Sequence, residues 1–142
     1  MSMFLYRERA KQLIDFSSLS WGKVHPSDID AVLEFGGKKL VLIELKTKGR
    51  EVDKGQQLLL ERLADNWKTA KGNEALVIYA EHEQYDTDED VDLGKAQVKS
   101  VYWQHRNIEL NHKRSVQSVV LGFARREIIE RLEKDECSQL KP

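Results

Sequence analysis

Two short alternating runs separated by Gly36-Gly37-Lys38 constrain this chain more than any other feature in it. In residues 29–35, Ile29, Ala31, Leu33 and Phe35 share one face by the two-residue period of a strand, and in residues 40–45 so do Val41, Ile43 and Leu45. Both all-apolar faces must look at one core, and a slip of one residue would turn one of them to the wrong side. The register that buries both leaves Asp28, Asp30, Val32 and Glu34 on the opposite face, with Leu40, Leu42, Glu44 and Lys46. A three-residue loop then sets Asp30 directly across from Glu44, with Cβ atoms roughly 5 Å apart.

Two carboxylates that close repel each other, and on a partly buried face at least one pKa must rise. Something positive is expected beside them. Lys46, on the same face two residues beyond Glu44, supplies one charge. A hard divalent cation would supply the rest, and Mg²⁺, with Mn²⁺ as its substitute, accepts a few carboxylates, keeps waters and bridges to phosphate. The plainer reading is a surface hairpin in which Lys46 bridges to Glu44 and Asp30, since acid-x-Lys is common. What favours a metal is the combination: a Pro26-Ser27-Asp28-Ile29-Asp30 entry, a Gly-Gly turn, two apolar strands, and Glu44-Leu45-Lys46 closing the second. A metal and an attacking water held together point to phosphodiester hydrolysis.

The remaining elements predict a single α/β domain over residues 1–142 with a central mixed β-sheet flanked by helices. Ser2 can cap a helix to about residue 16, and residues 21–24 can form a short strand before the hairpin. Asp53 caps a helix to about residue 71, closed by Gly72-Asn73. The apolar run 75–80 reads as a strand buried on both faces, and strand, helix, strand implies a parallel pair joined by a crossover. An acidic loop over residues 81–92 precedes a strand at 98–103 and an edge piece at 108–110. Ser115 caps a final helix, over about residues 115–134, with Val116, Val119, Val120, Phe123 and Ile128 or Ile129 inward; a flexible tail follows at 135–142.

At 142 residues and 40% apolar, the chain can bury a core without disulfides or a structural metal. No apolar run is long enough to span a bilayer, and the N-terminus lacks the order of a secretion signal, so the expectation is an intracellular, cytoplasmic protein without a membrane partner. Cys137 is alone, in a polar tail, and the four histidines lack zinc-like spacing. A net charge of −1 does not advertise a nucleic-acid partner, but a local basic strip suffices for phosphate contact. Lys48, Arg50 and Lys54 follow the Glu44 strand, and Arg106, Lys113 and Arg114, with His105 and His112, precede the last helix. A second group of this kind is more often just a solvated turn.

The residues Pro26, Asp28, Asp30 and Glu44-Leu45-Lys46, followed by a helix, resemble the PD-(D/E)XK nuclease superfamily with its restriction-endonuclease-like core. The element order α-β-β-β-α-β-β plus a C-terminal helix agrees with that core over about residues 3–103, and Gly55-Gln56 is similar to small phage endonucleases, VRR-NUC modules and Holliday-junction resolvases. The resemblance implies a Mg²⁺-dependent DNA endonuclease leaving a 5′-phosphate, acting on branched, nicked or single-stranded DNA in phage, mobile-element, recombination or repair settings. It implies a bacterial or phage-infected host cell, a homodimer, and no small-molecule cofactor beyond the metal. Asp30 matches the family aspartate, with Asp28 competing; Glu44 and Lys46 match its Glu and Lys, and the Leu45 backbone carbonyl joins the metal ligands. Glu8, on the first helix, matches a metal-proximal Glu or is a solvated charge. Gln56 either positions the attacking water or phosphate, or bonds free backbone groups of the first helical turn. The alternative function is a nuclease fold that lost catalysis and serves as a nucleic-acid-binding or assembly module.

Overall fold

A computed structural model of the protein describes residues 15–125. In chain order they form β1 (Ala31–Phe35), β2 (Lys39–Thr47), α1 (Lys54–Trp67), β3 (Glu74–His82), a 3-10 turn (Leu93–Lys95), β4 (Gln97–Trp103), β5 (Arg106–Glu109) and α2 (Val116–Ala124). The sheet order is β1-β2-β3-β4-β5, with β2 and β3 parallel and every other neighbouring pair antiparallel. This is a single α/β domain with a mixed five-stranded sheet. Among the described residues, no helix is long and apolar enough to cross a membrane.

The hairpin has the register that its two apolar faces require, with Ala31 opposite Ile43 and Leu33 opposite Val41. Gly36 and Gly37, at φ +59° and +71°, make the turn in a region of backbone space that glycine enters at little cost. Ile29 departs from the expected alternation. It precedes β1 and packs with Leu42, Leu60 and Val77 on the opposite side of the sheet from Ala31, because no ladder holds the chain to a two-residue period before Ala31.

Among the described residues, each face of the sheet carries one helix. On one, Val41, Ile43, Leu76, Ile78, Val98 and Val101 form a core with Val116, Val119 and Phe123 of α2. On the other, Leu42, Val77, Tyr79 and Tyr102 pack with Leu60 and Ala64 of α1. Lys39 ties β2 to α2: its Nζ donates to the carbonyls of Phe123 and Ala124 at 2.8 and 3.0 Å, satisfying oxygens that the helix end leaves open.

Residues 21–24 are not a strand of the sheet. Trp21 and Val24 instead bond each other through two backbone hydrogen bonds of 2.8 and 2.9 Å, a tight turn folded at Gly22 (φ +61°). Asp53 caps α1 as expected, but the helix stops at Trp67, where Lys68 N–H bonds back to the Ala64 carbonyl. Ser115 caps α2 through its side chain, which accepts from Ser118 N–H. The expected first helix with Glu8, the continuation of the last helix through Ile128 and Ile129, the tail and Cys137 lie outside the described residues.

Candidate active site

The site forms where β1 ends early beside a longer β2. The ladder stops at Ala31 opposite Ile43, so the next pair in that register is Asp30 and Glu44. Asp30 Oδ2 accepts the backbone N–H of Leu45 at 2.7 Å, where a longer β1 would have offered a main-chain carbonyl. N–H and C=O of one strand residue point to the same side, so the Leu45 carbonyl also faces this edge, beyond the last ladder residue.

Glu44 is held from both sides. Its side chain is 2% exposed, Oε1 lies 3.1 Å from Lys46 Nζ, and Oε2 accepts from Gln56 Nε2 at 2.8 Å. The same Gln56 nitrogen donates to the Asp28 backbone carbonyl at 2.8 Å, so one amide joins α1, β2 and the segment entering β1. The Asp53 carboxylate, accepting from Gln56 N–H at 3.2 Å, fixes the helical turn that carries this side chain. Lys46 is 31% exposed, so its ammonium reaches both the buried carboxylate and solvent.

Burial raises the Glu44 pKa above the ordinary carboxylate range; the Lys46 hydrogen bond opposes this and the neighbouring Asp30 charge adds to it. Two carboxylates and one ammonium leave an excess negative charge at this edge. Among the described residues no group of three or more His, Cys, Asp and Glu could hold a metal by itself. The donors are two carboxylates and a main-chain carbonyl, a sparse set of hard oxygens that suits Mg²⁺, which keeps several waters.

The two aspartates separate in role. Asp30 brings its carboxylate to the Glu44-Leu45 edge, whereas the contact that ties Asp28 to the site runs through its backbone carbonyl. Of the basic residues, Arg50 and Lys54 are exposed just after β2, and Lys48 pairs with Glu83 at 2.8 Å. Lys48 holds the Glu83 carboxyl below its usual range, with a smaller contribution from Lys113, which adjoins Arg114 at this end of the sheet. Arg114 is anchored there too, its carbonyl accepting Val98 N–H at 2.8 Å while its Nε meets His112 at 2.8 Å. Arg106 is not with them. It opens β5 opposite Trp103, at the far end of β4, because β4 runs antiparallel to β3.

Comparison with family models, curated proteins and solved structures found no match to this chain.

Tyr79 is the neighbour that sequence reasoning missed. It is the Cα partner of Glu44 on the parallel strand β3 and is 6% exposed, and its hydroxyl has no hydrogen-bond partner. Burial pushes this phenol well above its ordinary value, and the nearby Glu61 charge adds to the effect. The one visible signal is a hydroxyl-bearing residue within the otherwise apolar run 75–80.

Proposed function

We propose that the protein is a metal-dependent nuclease of the PD-(D/E)XK type that hydrolyses DNA phosphodiester bonds. The observation that carries this reading is a buried Glu44 bonded to Lys46 and Gln56, with the Asp30 carboxylate at the same strand edge. Asp30, Glu44 and the Leu45 carbonyl are the groups that would hold Mg²⁺, or Mn²⁺ in its place. The bound ion supplies an acidified water and neutralises charge on the scissile phosphate.

The chain's own residues do the rest. Lys46, partly exposed beside Glu44, orients the nucleophilic water and stabilises negative charge building on the phosphate. Gln56 keeps the Glu44 carboxylate in one orientation and ties it to the entry into β1, so the donors are set before substrate arrives. Lys48, Arg50, Lys54, Lys113 and Arg114 are the phosphate contacts, with branched, nicked or single-stranded DNA as substrate, a 5′-phosphate product and a homodimer as the working form. The setting is the cytoplasm of a bacterial or phage-infected cell.

One observation favours a second reading. Both Glu44 oxygens already have protein partners, as they would in a binding or assembly module that had lost catalysis. Thermal melting with Mn²⁺ or Mg²⁺ tests the first reading against it. A nuclease gains stability with metal, as any ligand of the native state provides, and loses that gain in Glu44→Ala. A binding module shows no metal dependence in either form.

A further inference from the structure

On the far side of the α1 N-terminus from Asp28 lies a cavity of about 290 Å³, between the first turn of that helix and strands β3 to β5. Tyr79 and Ser100, partners across the β3–β4 ladder, both line it. So does Lys99, although consecutive strand residues ordinarily point to opposite faces. The ladder shifts at this point: Tyr79 faces Ser100 and Ala80 faces Val98, which leaves Lys99 as the extra residue of a bulge that lets both neighbours serve one cavity.

The chemistry of the lining is specific. Gln57 Nε2 and Asn107 Nδ2 both donate to Glu61 Oε1, at 3.2 and 3.1 Å. A carboxylate only accepts, so the amide nitrogens must face it and the amide oxygens are left as acceptors. Tyr79 lines the floor while its hydroxyl is buried from solvent, and Ser100 adds a hydroxyl donor and acceptor. Val52 gives an apolar wall, and Lys54 and Lys99 offset Glu51 and Glu109, so Glu61 behind the amides leaves an excess negative charge that disfavours a free phosphate.

We propose, resting on the nucleic-acid reading above, that this cavity receives one unpaired nucleobase of the bound strand, and favours a base carrying an exocyclic amine. Amide oxygens and hydroxyls are the groups that read the hydrogen-bonding edge of a base taken out of its stack. The volume lies at the low end of small-molecule sites, which suits one planar base. Tyr79 stands one strand from Glu44, so a base placed here belongs to a nucleotide next to the scissile phosphate. The pocket thereby gives the site a physical reason to prefer DNA with an unpaired position.

The test is a fluorescence titration of the full chain, in EDTA, against a duplex with a single unpaired 2-aminopurine, with competition by the same duplex carrying an abasic position. The expected result is a saturable fluorescence change, binding about tenfold weaker in Asn107→Leu, the effect of one lost hydrogen bond, and no fluorescence change in Ser100→Trp. The abasic competitor should also bind about tenfold more weakly. Asn107 is exposed at the sheet edge, so Asn107→Leu leaves the core intact and carries the test even if Ser100→Trp fails to fold. Absence of a fluorescence change, equal affinity for the abasic duplex, or wild-type binding by Asn107→Leu overturns the proposal. Neither metal nor cleavage enters the measurement, so its failure leaves the nuclease reading standing, and failure of a cleavage assay leaves this result standing.

Discussion

Gln56 and Glu44 are joined by a single hydrogen bond of 2.8 Å from the first turn of a helix to a carboxylate buried in the sheet. Gln56 also holds the Asp28 carbonyl, so its amide decides how the buried carboxylate is presented. Replacing it by Leu removes the donors and keeps the bulk. Groups that orient a metal ligand from behind typically affect activity 10- to 100-fold, so Gln56→Leu should lower kcat for DNA cleavage by about that range while leaving KM nearly unchanged. Steady-state kinetics on one substrate checks it.

Glu44 gives a pH signature of opposite sign to that of an ordinary salt-bridged acid. Its pKa in the folded chain is raised, chiefly by burial, so the native state keeps a proton that the unfolded chain has released. Stability therefore falls as pH rises above the ordinary carboxylate value of 4.5, and the deficit is complete above the folded value. Glu44→Gln should melt higher than the wild type at pH 7, and the gap should close below pH 4.5. Each kcal/mol corresponds to about 3 °C in a chain of this size. Melting curves of both proteins across pH, without divalent metal, measure the sign directly.

Asp30 and Asp28 should part company on substitution. Asp30→Asn weakens an acceptor of the Leu45 N–H and removes one of the two carboxylate donors, so it should abolish both cleavage and stabilisation by Mn²⁺. Asp28→Asn leaves the backbone carbonyl that Gln56 uses, and should retain activity within about threefold, or under 1 kcal/mol. Parallel cleavage and melting measurements on the two variants decide it.

The hairpin was legible in the sequence because two apolar faces with a fixed period leave only one register that buries both, and that register brings Asp30 to Glu44. The parallel crossover was legible for a similar reason: residues 75–80 are apolar on both faces, which needs a helix on either side of the sheet. The 21–24 segment was misread because a strand is defined by its partner, and four residues carry no record of whether that partner is a sheet or their own other end. Ile29 failed for a related reason, since alternation ends where the ladder ends. Tyr79 was hidden because its importance depends on lying beside Glu44 across a parallel pair whose register no local pattern fixes.

The basic residues should divide by their position in the sheet. Lys113 lies at the site's end and Arg106 at the other. Loss of one phosphate contact on double-stranded DNA lowers the slope of log K against log salt by about 0.9. Lys113→Ala should show that decrease, and Arg106→Ala should keep the wild-type slope. Binding titrations on a four-way junction across salt concentrations, in EDTA, supply the comparison.

Asp30, Glu44 and Lys46 are the proposed hydrolytic site for DNA. The most direct measurement incubates the wild type and Lys46→Ala with linear, supercoiled, single-stranded and four-way-junction DNA, with Mg²⁺ and with EDTA. Cleavage of at least one of these by the wild type, dependent on Mg²⁺ and lost in Lys46→Ala, is the predicted result. A wild type that cuts none of them, or a Lys46→Ala that cuts as well as the wild type, would contradict the account.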